Sequence, residues 1–363
     1  MSNLPDLAAI GWDATYADAF AAHAWAGHVP ARVVAEERGA FVVHDGERTR
    51  PAYVSGRLRH ESNGDALAFP AVGDWVALGQ APAGERATIH AVLTRRTVIV
   101  RRAPTDHRTV AQIIAATVDV VFIVSSLNDE LNLRRVERYL AVAWESGATP
   151  VVVLSKADLD DDRDGHRAMV EGVAPGVEVI VTSALAGEGI DAIRAHLSPG
   201  RTVAFIGSSG VGKSTLVNAL AGEELMTTSG IREDDARGHH TTTRRQLVPL
   251  ASGLIIDTPG MRELALLAGA GLANAFEDVE QIANACRFSD CGHHSEPGCA
   301  IRAALDAGAL DPDRFNAFED LQKEARRSEL ANSVVARQAN RRKWTAISKS
   351  VSRHMREKYG EER

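Results

Sequence analysis

Gly207-Ser208-Ser209-Gly210-Val211-Gly212-Lys213-Ser214 is the stretch that decides the fold. It follows an apolar run, Thr202 to Ile206, and opens a helical one, Lys213 to Leu220, which is the setting a phosphate-cradling loop requires. Glycines let backbone N–H groups turn inward onto phosphate oxygens, and the helix N-terminus adds a favourable dipole. In this reading Lys213 reaches the β and γ phosphates, Ser214 ligates Mg2+ through its hydroxyl, and Thr215 bonds the α phosphate. The bland alternative is a glycine-rich turn without a ligand, and the complete pattern between a strand and a helix argues against it.

On either side of the loop, apolar strands alternate with helical stretches. Asp119 to Val124 precedes Arg134 to Glu145, Pro150 to Leu154 precedes Arg163 to Val170, and Glu178 to Val181 precedes Ile190 to Leu197. That alternation predicts a parallel sheet covered by helices, with ligands at the carboxyl ends of the strands. Downstream, Asp257-Thr258-Pro259-Gly260 follows the apolar run Leu254 to Ile256. There Asp257 is placed to hold the metal through water, and the Gly260 N–H to meet the γ phosphate. The polar stretch Arg237 to Thr243 lies between, and one of its threonines, Thr242 by preference, is placed to close on Mg2+ and the γ phosphate. Its plain alternative is an ordinary surface loop.

Ser155-Lys156-Ala157-Asp158 ends the strand Pro150 to Leu154. A carboxylate at Asp158 accepts both N1–H and the 2-amino group of guanine, a pair that adenine does not offer, while the stem of Lys156 covers the base. The wrong base then leaves a buried acceptor unpaired, which costs several kcal/mol. Thr182-Ser183-Ala184 fits the loop whose backbone reads guanine O6. Asparagine is usual where Ser155 stands; a serine hydroxyl still ties neighbouring loops together but reaches less far. An ATP-binding reading leaves Asp158 without purpose. The base-reading segment comes before the phosphate loop, the reverse of the order in most GTPases.

From Ala31 to about Arg101 the pattern is of short β-type runs: Arg32 to Ala35, Ala40 to His44, Ala52 to Leu58, Asp74 to Leu78 and Thr88 to Leu93. Gly39, Asp45-Gly46, Asn63-Gly64 and Gly73 punctuate them, and a small barrel follows, OB-like by preference with an SH3-like barrel as the alternative. The whole is read as multidomain: an N-terminal extension over 1–30, an OB-fold-like β-barrel over 31–105, a central α/β P-loop GTPase domain, circularly permuted, over 106–267, and an α-helical zinc-binding module over 268–363.

Net charge is −7, which argues against a chain that coats nucleic acid on every face, yet two basic runs stand out. One spans Arg86 to Arg108; the other holds Arg337, Arg341, Arg342, Lys343, Lys349, Arg353, Arg356 and Lys358. A solvated charged face is the plain reading of either. No apolar run approaches the ~20 residues that span a bilayer, and the start lacks the pattern of a signal peptide, so a cytoplasmic location without membrane attachment is expected.

All three cysteines lie in one window, Cys286-x4-Cys291-x-His293-x5-Cys299. An odd cysteine count in a chain expected in the cytosol points away from disulfides and toward a metal. Three thiolates and one imidazole suit tetrahedral, structural zinc with no open ligand position. His294 is an alternative to His293 as the fourth ligand.

With these residues in place, the chain resembles the circularly permuted GTPases of the small ribosomal subunit-dependent RsgA/YjeQ family. The likeness covers the barrel, the rotated motif order, the Gly238-His239-His240-Thr241-Thr242-Thr243 switch and the cysteine module. It implies a GTP hydrolase that binds the small ribosomal subunit and its rRNA late in maturation, is stimulated by the subunit, and helps release assembly factors. It also favours His293 over His294 and a monomer. Ala236 stands where glycine is expected, and Met261 occupies the position from which Ras-like enzymes orient water. Methionine does no such work, which leaves His240 as the nearest suitable switch residue. Two alternatives remain open at this stage: a ribosome-binding switch module with incidental hydrolysis, and a permuted GTPase of large-subunit assembly. Rotation also frees the segment after Gly260 to run into the cysteine module, so switch contacts to the γ phosphate are expected to set that module's angle.

Overall fold

The computed structural model describes residues 7–24, 26–37, 39–62, 65–79, 86–104, 109–128, 131–226, 245–257, 264, 266 and 269–332. Outside them lie the switch stretch with Ala236, His240 and Thr242, then Gly260 and Met261, and the basic C-terminal run from Arg337 to Lys358.

Helix α1 (Ala14–Ala24) precedes five barrel strands: β1 (Val29–Glu37), β2 (Ala40–His44), β3 (Thr49–Val54), β4 (Trp75–Gly79) and β5 (Ala87–Val92). Strand β1 pairs antiparallel with β2 and with β4, β2 with β3, and β4 with β5, while β3 runs parallel to β5. The five therefore close on one another in the OB-like order rather than as an SH3-like barrel. Alternate residues Ala31 and Val33 of β1 join Val43, Ala52, Val76, Leu78 and Ile89 in a fully buried interior, as a half-buried strand's period of two dictates.

The third strand is shorter than the sequence reading gave it. It stops at Val54, and the Ser55 hydroxyl accepts from the Leu58 N–H at 3.1 Å to cap helix α2 (Gly56–Glu61). A serine before glycine is a better cap than a strand residue, and that local bond ends the extended run. The N-terminal residues dock on the barrel: Trp12 meets Trp75 edge to face at 4.6 Å, and Tyr16 and Phe20 are buried beside them.

Strands β6 (Val98–Pro104) and β7 (Thr109–Ala116) form an antiparallel hairpin that the sequence reading did not anticipate. Three arginines of the basic run have partners among the described residues. Arg95 chelates the buried Asp74 at 2.7 and 2.8 Å, Arg96 bonds Asp13 at 2.6 Å, and Arg101 bonds Gln112.

The second sheet region comprises β8 (Val120–Ser126), α3 (Leu133–Ser146), β9 (Thr149–Ser155), α4 (Arg163–Val173), β10 (Glu178–Val181), α5 (Ile190–Arg194), β11 (Thr202–Ile206), α6 (Lys213–Ala221), β12 (Gln246–Leu250) and β13 (Gly253–Asp257). Its strand order is β10-β9-β8-β11-β13-β12, parallel except for β12. Near-continuous apolar runs such as Val151 to Leu154 follow from burial on both faces. A single register, Ala35 opposite Gln246, links the sheet to β1 of the barrel.

Arg32 fastens the two units. It is fully buried and donates to Gly73 O (3.1 Å), Thr117 O (3.1 Å), Thr202 Oγ1 (2.9 Å) and Ile10 O. Burial pulls its pKa down to about 10, still high enough to keep it charged at neutral pH. Gly73 is required at this seam, since a Cβ there would meet Ala116 O at 2.0 Å.

The remaining described residues form α7 (Leu272–Ala275), α8 (Glu277–Ala283), α9 (Ala300–Asp306) and α10 (Pro312–Asn332). They lean on α3 through a buried ionic cluster. Glu137 accepts from Arg134 and from Arg314 at 2.7 Å each, and Arg314 also holds Asp278 at 2.6 Å.

Candidate functional site

The phosphate loop leaves β11 at Gly207 and enters α6 at Lys213. Gly207 has φ +150° and a Cβ there would meet Val124 O at 2.3 Å, so only glycine lets β11 turn so close to β8. Gly212, at φ +92°, is the left-handed residue that starts α6. Ser209 and Gly210 are exposed, Ser208, Ser214 and Thr215 are half-buried, and Val211 is buried. The Lys213 ammonium donates to Gly207 O at 2.9 Å and to Ser208 O at 2.5 Å, which holds its charge against the loop's entrance.

The base-reading segment lies at the end of β9, two strands from β11 across β8. Ser155 is only 3 % exposed, and its hydroxyl lies 2.6 Å from Val211 O and 3.3 Å from Ser125 O. It thus bonds the base-reading segment to the phosphate loop, the tie expected of a hydroxyl here. Lys156 takes the left-handed conformation (φ +59°), rare for a side chain-bearing residue, and turns the chain into the short helical turn Ala157–Leu159. Asp158 is exposed at the loop's rim, and its Oδ1 accepts from the Ser183 hydroxyl at 2.5 Å. Ser183 is held in turn by paired backbone bonds with Glu188, while Ala157 N donates to Thr182 O. Ala184 is half-buried beside them. Three segments remote in sequence, at 155–158, 183–184 and 207–215, therefore share one end of the sheet. Asp257 closes β13, whose neighbour is β11, so its backbone sits at the same end.

Sequence reasoning missed Arg135. It lies in the first turn of α3 and donates from its guanidinium to the Ser208 hydroxyl at 2.8 Å. Its one local signal is two arginines, Arg134 and Arg135, at a helix N-terminus where the dipole disfavours positive charge.

The four residues expected to hold a metal do converge. The donor atoms of Cys286, Cys291, His293 and Cys299 all lie within 4.8 Å of one another, whereas His294 is exposed outside the group. Cys286 Sγ is 4.0 Å from Cys299 Sγ, and each is 3.6 Å from His293 Nδ1. A tetrahedral ion with ordinary zinc–ligand bonds sets these separations at about 3.8 Å for sulfur–sulfur and about 3.6 Å for sulfur–nitrogen, so the set fits the ion. Without a cation the neighbouring thiols favour the thiolate at Cys286, whose value is lowered, and disfavour it at Cys291. Against a donation from the His293 N–H, burial and the thiols of Cys299 and Cys286 push Cys291 up to about 11. His293 is placed by a left-handed backbone (φ +61°) and by Phe315 of α10, whose ring it meets edge-on. Glu296, also missed, shapes the loop by accepting from Gly292, His294 and Ser295 N–H groups, and those bonds together with its own N–H hold its carboxyl down to about 2.

A parallel sheet with the Ser155–Asp158 segment and the Gly207–Ser214 loop at one end, the former earlier in the chain, has the architecture of a circularly permuted P-loop GTPase. The sequence model of the RsgA GTPase family matches residues 92–267. An ABC transporter model also matches, over 190–358, a stretch that contains the phosphate loop common to both classes but not Asp158. The chain is 45 % identical to the small ribosomal subunit biogenesis GTPase RsgA of Opitutus terrae, over 94 % of this chain and 95 % of that one. It is 43 % identical to the protein of that name from Syntrophotalea carbinolica, over 96 % and 97 %. Among solved structures, YjeQ from Thermotoga maritima superposes with a TM-score of 0.59 at 25 % identity, covering 82 % of this chain and 98 % of that one. The circularly permuted GTPase YloQ shares the fold with a TM-score of 0.56 at 20 % identity, over 82 % and 95 %. The chain belongs to the RsgA family of GTPases.

Proposed function

We propose that this chain hydrolyses GTP to GDP and phosphate on the small ribosomal subunit during its late maturation, stimulated by that subunit. The observation that carries the reading is the hydrogen-bonded union of base-reading and phosphate-holding loops through Ser155 and Val211. The names of relatives that align over nearly the whole chain supply the subunit. They lend no support to a large-subunit role or to hydrolysis as an incidental activity.

In the proposed site, Asp158 selects guanine and Lys156 covers its face, with Ala157, Ser183 and Ala184 shaping the base loop. The N–H groups of Gly207 to Gly212, including those of Ser208, Ser209, Gly210 and Val211, hold the phosphates with Thr215. Lys213 leaves the loop carbonyls for the β and γ oxygens, and Ser214 and Asp257 hold Mg2+, which neutralises charge between those phosphates. Thr242 and His240, with the Gly260 N–H, are assigned to the γ-phosphate side, His240 orienting the water. Cys286, Cys291, His293 and Cys299 hold structural zinc, a role the donor separations support. The barrel is assigned to rRNA, the working compartment is the cytoplasm, and release of assembly factors follows hydrolysis. Among the described residues no helix is long and apolar enough to cross a membrane.

Sedimentation with purified ribosomal subunits in a non-hydrolysable GTP analogue tests the reading. Retention on the small subunit alone is expected. Equal retention on both subunits, or none, refutes it.

A further inference from the structure

The arginines of α3 divide by their partners. Arg134 pairs with Glu137 and Asp311, and Arg138 pairs with Glu324 and donates to Leu264 O at 2.8 Å. Arg135 has no carboxylate partner among the described residues, and its guanidinium makes one hydrogen bond there, to Ser208 Oγ. It is exposed and sits in the first helical turn, where its charge opposes the helix dipole. A residue that breaks a local rule without a local compensation points to a ligand or a mechanism.

Position says which ligand. The same Ser208 whose hydroxyl accepts from Arg135 offers its carbonyl to the Lys213 ammonium. Two cations thus meet on one residue of the phosphate loop. Both reach the Gly207–Ser208 entrance of the loop. A phosphate group there would meet positive charge from two elements, and the guanidinium fork retains donors for its oxygens. The turn that carries Arg135 is rigid: Asn132 Oδ1 caps it by accepting the Arg135 N–H at 2.9 Å, and Glu137 and Arg138 fix it to α10. The backbone that carries the guanidinium is therefore fixed, and the Ser208 bond brings the group to the loop.

We infer that Arg135 is a second phosphate-binding cation of this site, supplied by α3, which contacts the terminal phosphate of a nucleoside triphosphate and so separates GTP from GDP. This rests on the phosphate-loop reading of Gly207 to Ser214. On binding, the guanidinium exchanges the neutral Ser208 hydroxyl for a charged phosphate oxygen. No covalent step is involved.

The test is equilibrium titration of the full chain, with Mg2+ present, against fluorescent GDP and a fluorescent non-hydrolysable GTP analogue. A charge-assisted bond to the terminal phosphate makes Arg135→Ala and Arg135→Gln weaken the GTP analogue by about ten- to hundredfold while GDP stays within about twofold. Arg135→Lys, which keeps the charge but loses the fork, recovers part of the difference. Equal weakening of both nucleotides would make Arg135 a mere buttress of Ser208 and overturn the inference, as would no change in either. A wild-type chain that binds neither nucleotide would instead overturn the phosphate-loop reading, and this inference with it.

Discussion

Replacing Ser155 by alanine removes the one side-chain bond seen between the base-reading segment and the phosphate loop among the described residues. Val211 O then loses its donor at 2.6 Å, and with Val211 only 2 % exposed, no water reaches it without movement of the loop. An unsatisfied buried carbonyl costs ~1–3 kcal/mol. In the free protein the loop escapes that cost by shifting until Val211 O is hydrated, whereas bound phosphates demand the closed loop. The penalty therefore falls on binding, and at 1.4 kcal/mol per decade it raises the Kd for both GTP and GDP by roughly five- to about a hundredfold. Ser155→Asn keeps a side-chain N–H donor for Val211 O in place of the hydroxyl. Its affinity stays within about threefold of wild type on the same free-energy scale. Titration with labelled GDP, alongside thermal unfolding of each variant, is the assay. A lowered Tm with unchanged nucleotide affinity for Ser155→Ala would refute the reasoning, because the bond would then hold the sheet and not the loop.

Asp158→Asn exchanges an acceptor pair for one acceptor and one donor, so GTP affinity falls and xanthosine triphosphate, which carries an oxygen at C2, gains; competition between the two nucleotides reads the switch. Arg314→Met leaves Glu137 buried with Arg134 as its remaining partner, and the loss lies near the low end of the ~3–5 kcal/mol for a broken buried pair. Burial already holds the Glu137 carboxyl above its ordinary value against Arg134 and Arg314. The variant raises it further, so the deficit is largest above that folded pKa and shrinks as pH falls toward the unfolded value; urea titrations at neutral and mildly acidic pH check the sign. His293→Ala removes one of four donors and lowers bound zinc after dialysis, whereas His294→Ala leaves it unchanged; metal analysis of the two proteins decides between them.

The parts of the fold legible in the sequence are those set by local rules. Strands β8 to β11 announce themselves as apolar runs between turn signals, and Gly207 to Ser214 fixes both its own conformation and its ligand. The hairpin of β6 and β7 was hidden because its short apolar runs, Val98 to Val100 and Ile113 to Ala116, are separated by a polar, basic stretch and follow two arginines whose partners are remote in sequence. Arg95 finds Asp74 and Arg96 finds Asp13 only after the chain has folded. The same limit applies to Arg32, which the sequence places only at the start of a β-type run, yet which is fully buried at a three-way seam. In the site, Asp158 and Lys213 were legible by motif, and the cysteine group by spacing. Arg135 was not, since only the packing of α3 against β8 and β9 brings it to Ser208. Glu296 was hidden for a related reason: its partners are backbone N–H groups, which carry no residue identity.

If one end of this rotated sheet is a GTP-hydrolysing site switched on by the small ribosomal subunit, the decisive quantity is the GTP turnover rate of the purified chain alone, with large subunits, and with small subunits. Slow turnover alone, little change with large subunits, and acceleration by orders of magnitude with small subunits are expected. An unchanged rate with small subunits would contradict it.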